Sequence, residues 1–280
     1  MHIYFATSSM GDRREDALRS CGVKNLLVSY AYKNAFPKTI EFLEPLHPEG
    51  RLIVDSGAFT AWSKGEAIDL KAYGEFCLEL LEKVKGKIHH VYVINLDVIP
   101  GEMGKNPTAD QIHSSAEKGF ENLEKLEGMG LKPIHIFHQF EDFKWLDILA
   151  KRQPYIGIRP SNACSVKERH NWLRHVFYHM KDKLVRTHGF GVTAKKLMED
   201  FPWYSVDSSS WAAVDIYGRA TFTTKKRGHE TWFNSRVKSH RDKVLKEEIR
   251  ELLRLEKANT ELWKLRGVDW EQRDRDENFI

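Results

Sequence analysis

Cysteine is scarce in this chain of 280 residues, which holds only Cys21, Cys77 and Cys164 and has no Cys-x-x-Cys pair. Three widely separated cysteines exclude both the disulfide framework of a small secreted protein and a zinc ribbon. No apolar run approaches the roughly 18 residues that a membrane span needs, and the first residues lack the basic and apolar regions of a secretion signal. We therefore expect a cytoplasmic protein with free thiols and no membrane contact.

Internal repeats and low-complexity tracts are also absent from the sequence. With 41% hydrophobic and 30% charged residues, the composition is that of a globular chain and not of a disordered or fibrous one. The net charge of +4 is unevenly spread, because residues 219–246 contain nine basic and two acidic residues and carry +7. We call residues 219–246 the basic segment; the rest of the chain is mildly acidic.

Short β-branched or aromatic runs alternate with longer stretches of helical spacing, as in residues 70–84, 110–129 and 172–180. Strands that alternate with helices pair in parallel, because each crossover returns the chain to the same end of the sheet. Eight such strands predict an α/β protein with a TIM-type (β/α)8 barrel, and a doubly wound open sheet is the alternative. The predicted strands are Ile3–Ala6, Asn25–Tyr30, Leu52–Asp55, His90–Asp97, Ile134–Gln139, Tyr155–Ile158, Val185–His188 and Trp203–Asp207.

The chain changes character after the last predicted strand. We expect residues 1–216 to form the barrel and residues 217–280 to form a basic extension that packs on it. Within this extension, Gly218–Gly228 has the composition of a turn or hairpin. Residues 234–266 have the spacing of a long helix, which we expect to pack on the barrel or on a second copy of the chain. The charged tail 269–278 is expected to fray.

Five predicted strands end in a residue that is capable of chemistry: Asp55, Asp97, Gln139, His188 and Asp207. Each alone has an ordinary structural explanation, such as a helix cap, a turn or a satisfied buried backbone group. Because the carboxyl ends of the strands of a parallel barrel share one rim, we expect these side chains to converge there. Three carboxylates, an amide and an imidazole on one rim predict an active site.

The chemistry of this rim points away from a bound metal ion. Closely spaced ligand pairs of the kind that hard cations prefer are missing. His135 and His138 are three positions apart on a strand, which places them on opposite faces. Two carboxylates can instead carry out substitution at an anomeric carbon, one attacking and the other transferring protons. We therefore expect no metal and no cofactor, and an enzyme that acts on a glycosidic bond.

Taken in order, the motifs resemble those of the tRNA-guanine transglycosylases of the queuine and archaeosine type and their relatives that insert 7-deazaguanine bases into DNA. The resemblance implies a glycosyltransferase that replaces guanine in a polynucleotide with a free 7-deazaguanine base through a covalent Asp–C1′ intermediate. The segments that carry it are Asp55-Ser56-Gly57-Ala58-Phe59, Val93–Asp97, Phe137-His138-Gln139, Tyr155–Ile158, His188–Thr193 and Val206-Asp207-Ser208.

The same resemblance implies the roles of individual residues. Asp207 would be the nucleophile, and Asp55 would be the general base that deprotonates the incoming base. The resemblance implies substrate contacts from Asp97, Gln139, Gly157, His188, Gly189, Ser56 and Phe59.

One departure from the family bears on the substrate. No cysteine follows Asp207, so the zinc cluster of the tRNA enzymes is missing, and this favours DNA over tRNA. We expect phosphate contacts from Arg219, Lys225, Lys226, Arg227, Arg236 and Lys238. The alternatives are a tRNA substrate, a retaining glycosidase that removes a base or sugar, and an inactive barrel that binds nucleic acid. A homodimer and a partner protein that opens the duplex are also left open.

Overall fold

Eight parallel strands form one curled sheet in the computed structural model, which describes residues 1–101, 107–183, 185–192, 194–217 and 238–276. The strands are β1 His2–Thr7, β2 Asn25–Ser29, β3 Arg51–Asp55, β4 His90–Val93, β5 Ile136–His138, β6 Tyr155–Arg159, β7 Arg186–Gly189 and β8 Ser205–Ser208. Their order is β4-β3-β2-β1-β8-β7-β6-β5, and a parallel bridge between Ile94 and Ile134 joins the two edges. The predicted TIM-type (β/α)8 fold is confirmed.

Helices connect successive strands on the outside of the sheet, and three more of the described helices follow the last strand. They are α1 Asp12–Cys21, α2 Phe36–Leu43, α3 Ala58–Lys64, α4 Leu70–Val84, α5 Ala109–Gly128, α6 Phe143–Arg152, α7 Val166–His179, α8 Lys195–Asp200, α9 Ala213–Tyr217, α10 Lys238–Leu265 and α11 Trp270–Asp276. In α4 the buried residues Tyr73, Cys77, Leu80 and Val84 recur at helical spacing, as the sequence predicted. Capping boxes begin α5 and α7, where the N-cap hydroxyl and the side chain at N3 satisfy each other's backbone N–H groups.

The strands separate two apolar cores. The larger core lies between the sheet and the helices, and the smaller one fills the barrel interior. Inward-facing residues such as Tyr4, Ile53, Ile136 and Tyr155 form the smaller core, because alternate residues of a strand face the same side. The barrel is therefore a packed body, and polar side chains reach its interior mainly at the strand ends.

The C-terminal helices pack against the barrel and its first strand. Helix α10 contacts α1, α8 and α9, and Glu256 accepts a hydrogen bond from the backbone N–H of Ile3 at 2.7 Å. The prediction that the tail frays is wrong for α11, since Trp270 joins the interior core. The carboxylate of Asp274 accepts hydrogen bonds from Arg186 at 2.9 Å and from the Tyr204 hydroxyl at 3.1 Å. This helix covers the barrel at the end opposite the strand carboxyl ends.

Most of the basic segment lies outside the described residues. This applies to Arg219, Lys225, Lys226, Arg227 and Arg236 and to the turn predicted at Gly218–Gly228, whereas Lys238 begins α10. None of the helices in the described part of the chain has the length and apolar character of a membrane span. The three cysteines are free thiols.

Candidate functional site

Several polar side chains face the barrel interior at the carboxyl ends of their strands. Asp55, His138, Arg159 and Asp207 each lie two positions after an inward-facing residue of the same strand, so the alternation of the strand turns all four inward. A (β/α)8 enzyme carries its catalytic groups at this rim. The sequence predicted the two aspartates there but not His138 or Arg159.

His138 lies between two carboxylates. Its Nε2 atom is 2.9 Å from Oδ2 of Asp97, and its Nδ1 atom is 2.9 Å from Oε1 of Glu141. Burial alone would lower the pKa of His138, but the two carboxylates outweigh it and raise this pKa to about 9. Both ring nitrogens therefore donate, and the ring is an imidazolium. Burial would raise the pKa of Asp97, but the hydrogen bond and charge of His138 hold it below its ordinary value.

Asp55 has the opposite electrostatic environment. Burial, reinforced by the negative charge of Asp97, raises the pKa of Asp55 to about 6. Arg159 and a 3.0 Å hydrogen bond from the backbone N–H of Gly57 favour the charged form and limit this rise. Asp55 is thus a carboxyl group that exchanges its proton near neutral pH, whereas neighbouring Asp97 stays ionised.

Arg159 and a row of aromatic side chains border an open cleft of about 690 Å³ next to these groups. The guanidinium of Arg159 lies 4.9 Å from the ring centroid of Phe59, a cation–π distance. Among the described residues no carboxylate forms an ion pair with Arg159. A cation in this position suits the negative group of a small ligand. The cleft is lined by Phe59, Trp62, His138, Gln139, Phe140 and Arg159, among others.

The segment after β5 shapes one wall of the cleft. Phe140 has φ 87°, in the left-handed region that β-carbons disfavour, and 55% of its surface is exposed. Gln139 is buried, and its side-chain oxygen accepts a hydrogen bond from the backbone N–H of Ser161 at 2.9 Å. Gln139 therefore ties the β5 end to the loop after β6. Residues with a strained backbone conformation cluster at active sites and ligand-binding sites.

A second polar group occupies the ends of β7 and β8. Asp207 accepts a hydrogen bond from the backbone N–H of Gly191 at 2.8 Å, and its Oδ1 atom is 3.5 Å from Nε2 of His188. His188 is fully buried and packs edge-on against Phe190, with 4.5 Å between ring centroids. His188 therefore forms no wall of the open cleft.

The other predicted residues divide between the two parts of the rim. Ser56 is buried, and its hydroxyl lies 3.4 Å from Oδ1 of Asp97. Phe59 lines the cleft, as noted above. A β-carbon on Gly157 would lie 2.7 Å from the ring of Phe190, so that ring fills the space inside the barrel beside this glycine. Gly189 instead faces outward, against Trp203.

Sequence reasoning missed Glu141, Arg159 and the imidazolium state of His138. A usable signal was present: charged residues at inward-facing positions of two otherwise apolar strands, followed by an acidic residue three positions after His138. In the described part of the chain, no group of three or more His, Cys, Asp or Glu residues is arranged to hold a metal ion. His135 packs on Phe120 behind the strand, so the two histidines do lie on opposite faces.

Comparison with known proteins supports the fold of this chain and goes no further. No family model and no curated protein matches the chain. A Coccidioides immitis protein provisionally identified as a fructose-1,6-biphosphate aldolase is 10% identical with a TM-score of 0.52, over 91% of this chain and 88% of that one. Structures titled KDPGal and KGPDC, the latter from Streptococcus mutans, are 9% and 12% identical, with TM-scores of 0.41 and 0.36. Their alignments cover 93% and 89% of this chain and 97% and 96% of those chains. The first match supports the TIM-type fold.

The predicted membership of the tRNA-guanine transglycosylases is wrong. The structure that supports the fold is described as an aldolase and not as a transglycosylase, and no family model joins the chain to the transglycosylases. The base exchange, the glycosyltransferase class and the DNA or tRNA partner are corrected with it, and the glycosidase alternative gains no support.

One of the six motifs behind this resemblance has a local structural explanation. In Asp55-Ser56-Gly57, the carboxylate and the hydroxyl accept backbone N–H groups at the start of α3, and Gly57 has φ 81°. A strand-to-helix turn of any function can use the same residues.

Proposed function

We propose that the protein is an enzyme that transfers a proton at a carbon next to a carbonyl group in a small anionic molecule. Asp55 is the general base, Arg159 binds the negative group of the substrate, and His138 keeps Asp97 ionised. The observation that carries this proposal is the inward-facing carboxyl of Asp55, with a pKa raised to about 6, beside the guanidinium of Arg159. We also propose that the protein acts in the cytoplasm, a proposal supported by its three free cysteines.

The chemistry follows from the two charge environments. A general base works best when its pKa lies near the operating pH, which holds for Asp55 and not for Asp97, whose pKa is held below its ordinary value by His138. Asp55 takes the proton from the carbon, and the electron pair of the broken C–H bond moves to the carbonyl oxygen to form an enolate. The same carboxyl can return the proton. Since a (β/α)8 fold hosts many reactions, the proposal depends on these residues and not on the fold.

Exchange of carbon-bound hydrogen in D2O tests this reaction class directly. Pyruvate and dihydroxyacetone phosphate serve as probes, and ¹H NMR follows the loss of the C–H signal next to the carbonyl. We expect the wild type to exceed the buffer rate and Asp55→Asn to lose about 100-fold or more. Asp182→Asn removes an exposed carboxylate and should change nothing. Wild-type exchange at the buffer rate with both probes, or full activity of Asp55→Asn, would contradict the proposal.

The role of Arg159 has its own test in the same assay. Arg159→Met should raise KM by about 10-fold or more, because the charge-assisted contact to the substrate anion is lost, and Arg159→Lys should restore part of it. Arg174→Met, which alters an exposed arginine of α7, is the matched control. An unchanged KM in Arg159→Met would remove Arg159 from the site.

A further inference from the structure

A chain of buried polar groups leads from the barrel interior to the rim at Asp207. The hydroxyl of Tyr155 lies 2.5 Å from Oγ of Ser205, and the same Oγ lies 2.6 Å from Nδ1 of His188. All three residues are buried, and parallel pairing of β7 with β8 places His188 opposite Ser205. The proton transfer proposed at Asp55 does not use this chain.

The position of Asp207 sets the direction of the chain. Each hydroxyl carries one proton, and a buried donor without an acceptor costs about 1–3 kcal/mol. Within the described residues, Ser205 is the hydrogen-bond partner of the Tyr155 hydroxyl. Either direction leaves one donor without an acceptor: the Tyr155 O–H if Nδ1 of His188 donates to Ser205, or the His188 Nε2–H if Tyr155 donates to Ser205. Because the carboxylate of Asp207 lies 3.5 Å from Nε2, the second direction is favoured, in which Ser205 donates to Nδ1 and the ring proton sits on Nε2.

This Nε2–H group has no hydrogen-bond partner among the described residues, although it is fully buried. It lies 3.5 Å from Oδ1 of Asp207, slightly beyond hydrogen-bond distance. Contacts of catalytic groups are often long in an empty site and shorten when substrate binds.

We propose that His188 is a positioning residue for Asp207, and that Asp207 is a second carboxylate that contacts the substrate of the same rim site. This inference rests on the proposed function for its substrate. Backbone Gly191 already donates to Oδ1 of Asp207, and a shortened contact from His188 adds a second donor to that atom. Oδ2 is then left to accept a hydrogen bond from a hydroxyl or amino group of the substrate.

Long-range ¹H–¹⁵N correlation spectra of the ¹⁵N-labelled full chain test the tautomer. After assignment by loss of one signal set in His188→Gln, we expect His188 to show a protonated Nε2 and an unprotonated Nδ1. In Ser205→Ala the ring loses its donor to Nδ1, and the signals should move toward a mixture of tautomers. A proton on Nδ1 in the wild type would overturn the inference. The wild-type spectrum requires no variant, so the test does not depend on how Ser205→Ala folds.

The D2O exchange assay then tests the functional part. We expect Ser205→Ala to raise KM by about 10-fold with kcat changed less than about twofold, since it weakens a substrate contact and leaves Asp55 intact. Ser115→Ala, a buried serine of α5, should leave both constants unchanged. An unchanged KM in Ser205→Ala would remove His188 from the site. If the wild type exchanges neither probe, the proposed function is wrong, and so is the claim that Asp207 contacts its substrate. The tautomer of His188 is tested separately, by the NMR spectra.

Discussion

His138 and Asp97 share a buried hydrogen bond of 2.9 Å between Nε2 and Oδ2, and Glu141 holds the other ring nitrogen at the same distance. One cation between two anions keeps Asp97 charged at a depth where a lone carboxylate would take up a proton. Asp55 has no comparable partner, so its pKa rises while that of Asp97 falls. The pair of histidine and aspartate thus makes two neighbouring carboxyl groups chemically different.

Replacing His138 tests this electrostatic arrangement. Because the folded pKa of about 9 exceeds the ordinary 6.5, His138 stabilises the fold fully below about pH 6.5 and loses this contribution as the pH rises through 9. His138→Gln should therefore lower the free energy of unfolding by about 3 kcal/mol near pH 6 and by less near pH 9.5, measured by urea denaturation.

His113→Gln is the matched control, since His113 pairs with Glu117 on the exposed face of α5. We expect a loss of about 0.5 kcal/mol or less from this variant. An equal loss in His138→Gln at both pH values would contradict the imidazolium assignment.

Asp55→Asn should stabilise the protein above neutral pH. The folded pKa of about 6 lies above the ordinary 3.8, so the folded state holds this proton more tightly than the unfolded state does. The contribution of Asp55 to stability is greatest below about pH 4 and falls as the pH rises to about 6. The asparagine keeps the acceptor for Gly57 without the charge. We expect a gain of about 2 kcal/mol near pH 8 and little gain near pH 4, and equal effects at both would refute the raised pKa.

Phe140 separates backbone strain from ligand contact. The backbone of residue 140 has φ 87°, which strains phenylalanine and alanine but not glycine. Phe140→Gly should therefore be about 1 kcal/mol more stable than Phe140→Ala in thermal or urea unfolding, although both lose the same ring. Both variants should bind the exchange substrate equally weakly if the ring forms part of the cleft. Equal stability of the two variants would show that the backbone carries no strain.

Gly157→Ala tests the packing inside the rim. The new methyl group would approach the Phe190 ring to 2.7 Å and Ile136 to 3.1 Å, so we expect a loss of about 1–3 kcal/mol. Phe190→Leu should recover part of this loss in the double variant. A double-mutant cycle of unfolding free energies measures the coupling, and strictly additive losses would mean that the two residues do not compete for space.

Much of the fold could be read from local pattern. The alternation of β-branched runs with helical stretches predicted eight parallel strands and their barrel, because both periods are properties of the backbone itself. The predicted ends of the strands were less accurate, because pairing with neighbouring strands decides where a strand ends. The strand predicted at His90–Asp97 spans only His90–Val93, with one further bridge at Ile94. The tail was predicted to fray from its charge, yet Trp270 inserts into the barrel interior.

The sequence motifs predicted where polar residues lie in the barrel better than they predicted the function of the protein. They correctly marked strand ends as the polar part of the barrel, but the Asp-Ser-Gly turn is explained by backbone hydrogen bonds at the start of α3. A short motif of this kind reflects the requirements of the local turn. It does not specify the substrate, which depends on side chains from several strands.

The sequence by itself determined the fold class and the placement of Asp55, His188 and Asp207 near the ends of their strands, because hydrophobic periodicity and the residues that end a strand are local features. The tertiary structure alone decided which carboxylate keeps its proton, which histidine is charged and which lies buried in a hydrogen-bonded chain. Those properties depend on distances between residues about 40 positions apart, such as Asp97 and His138. Burial and charge act through space, and the linear order of residues does not contain them.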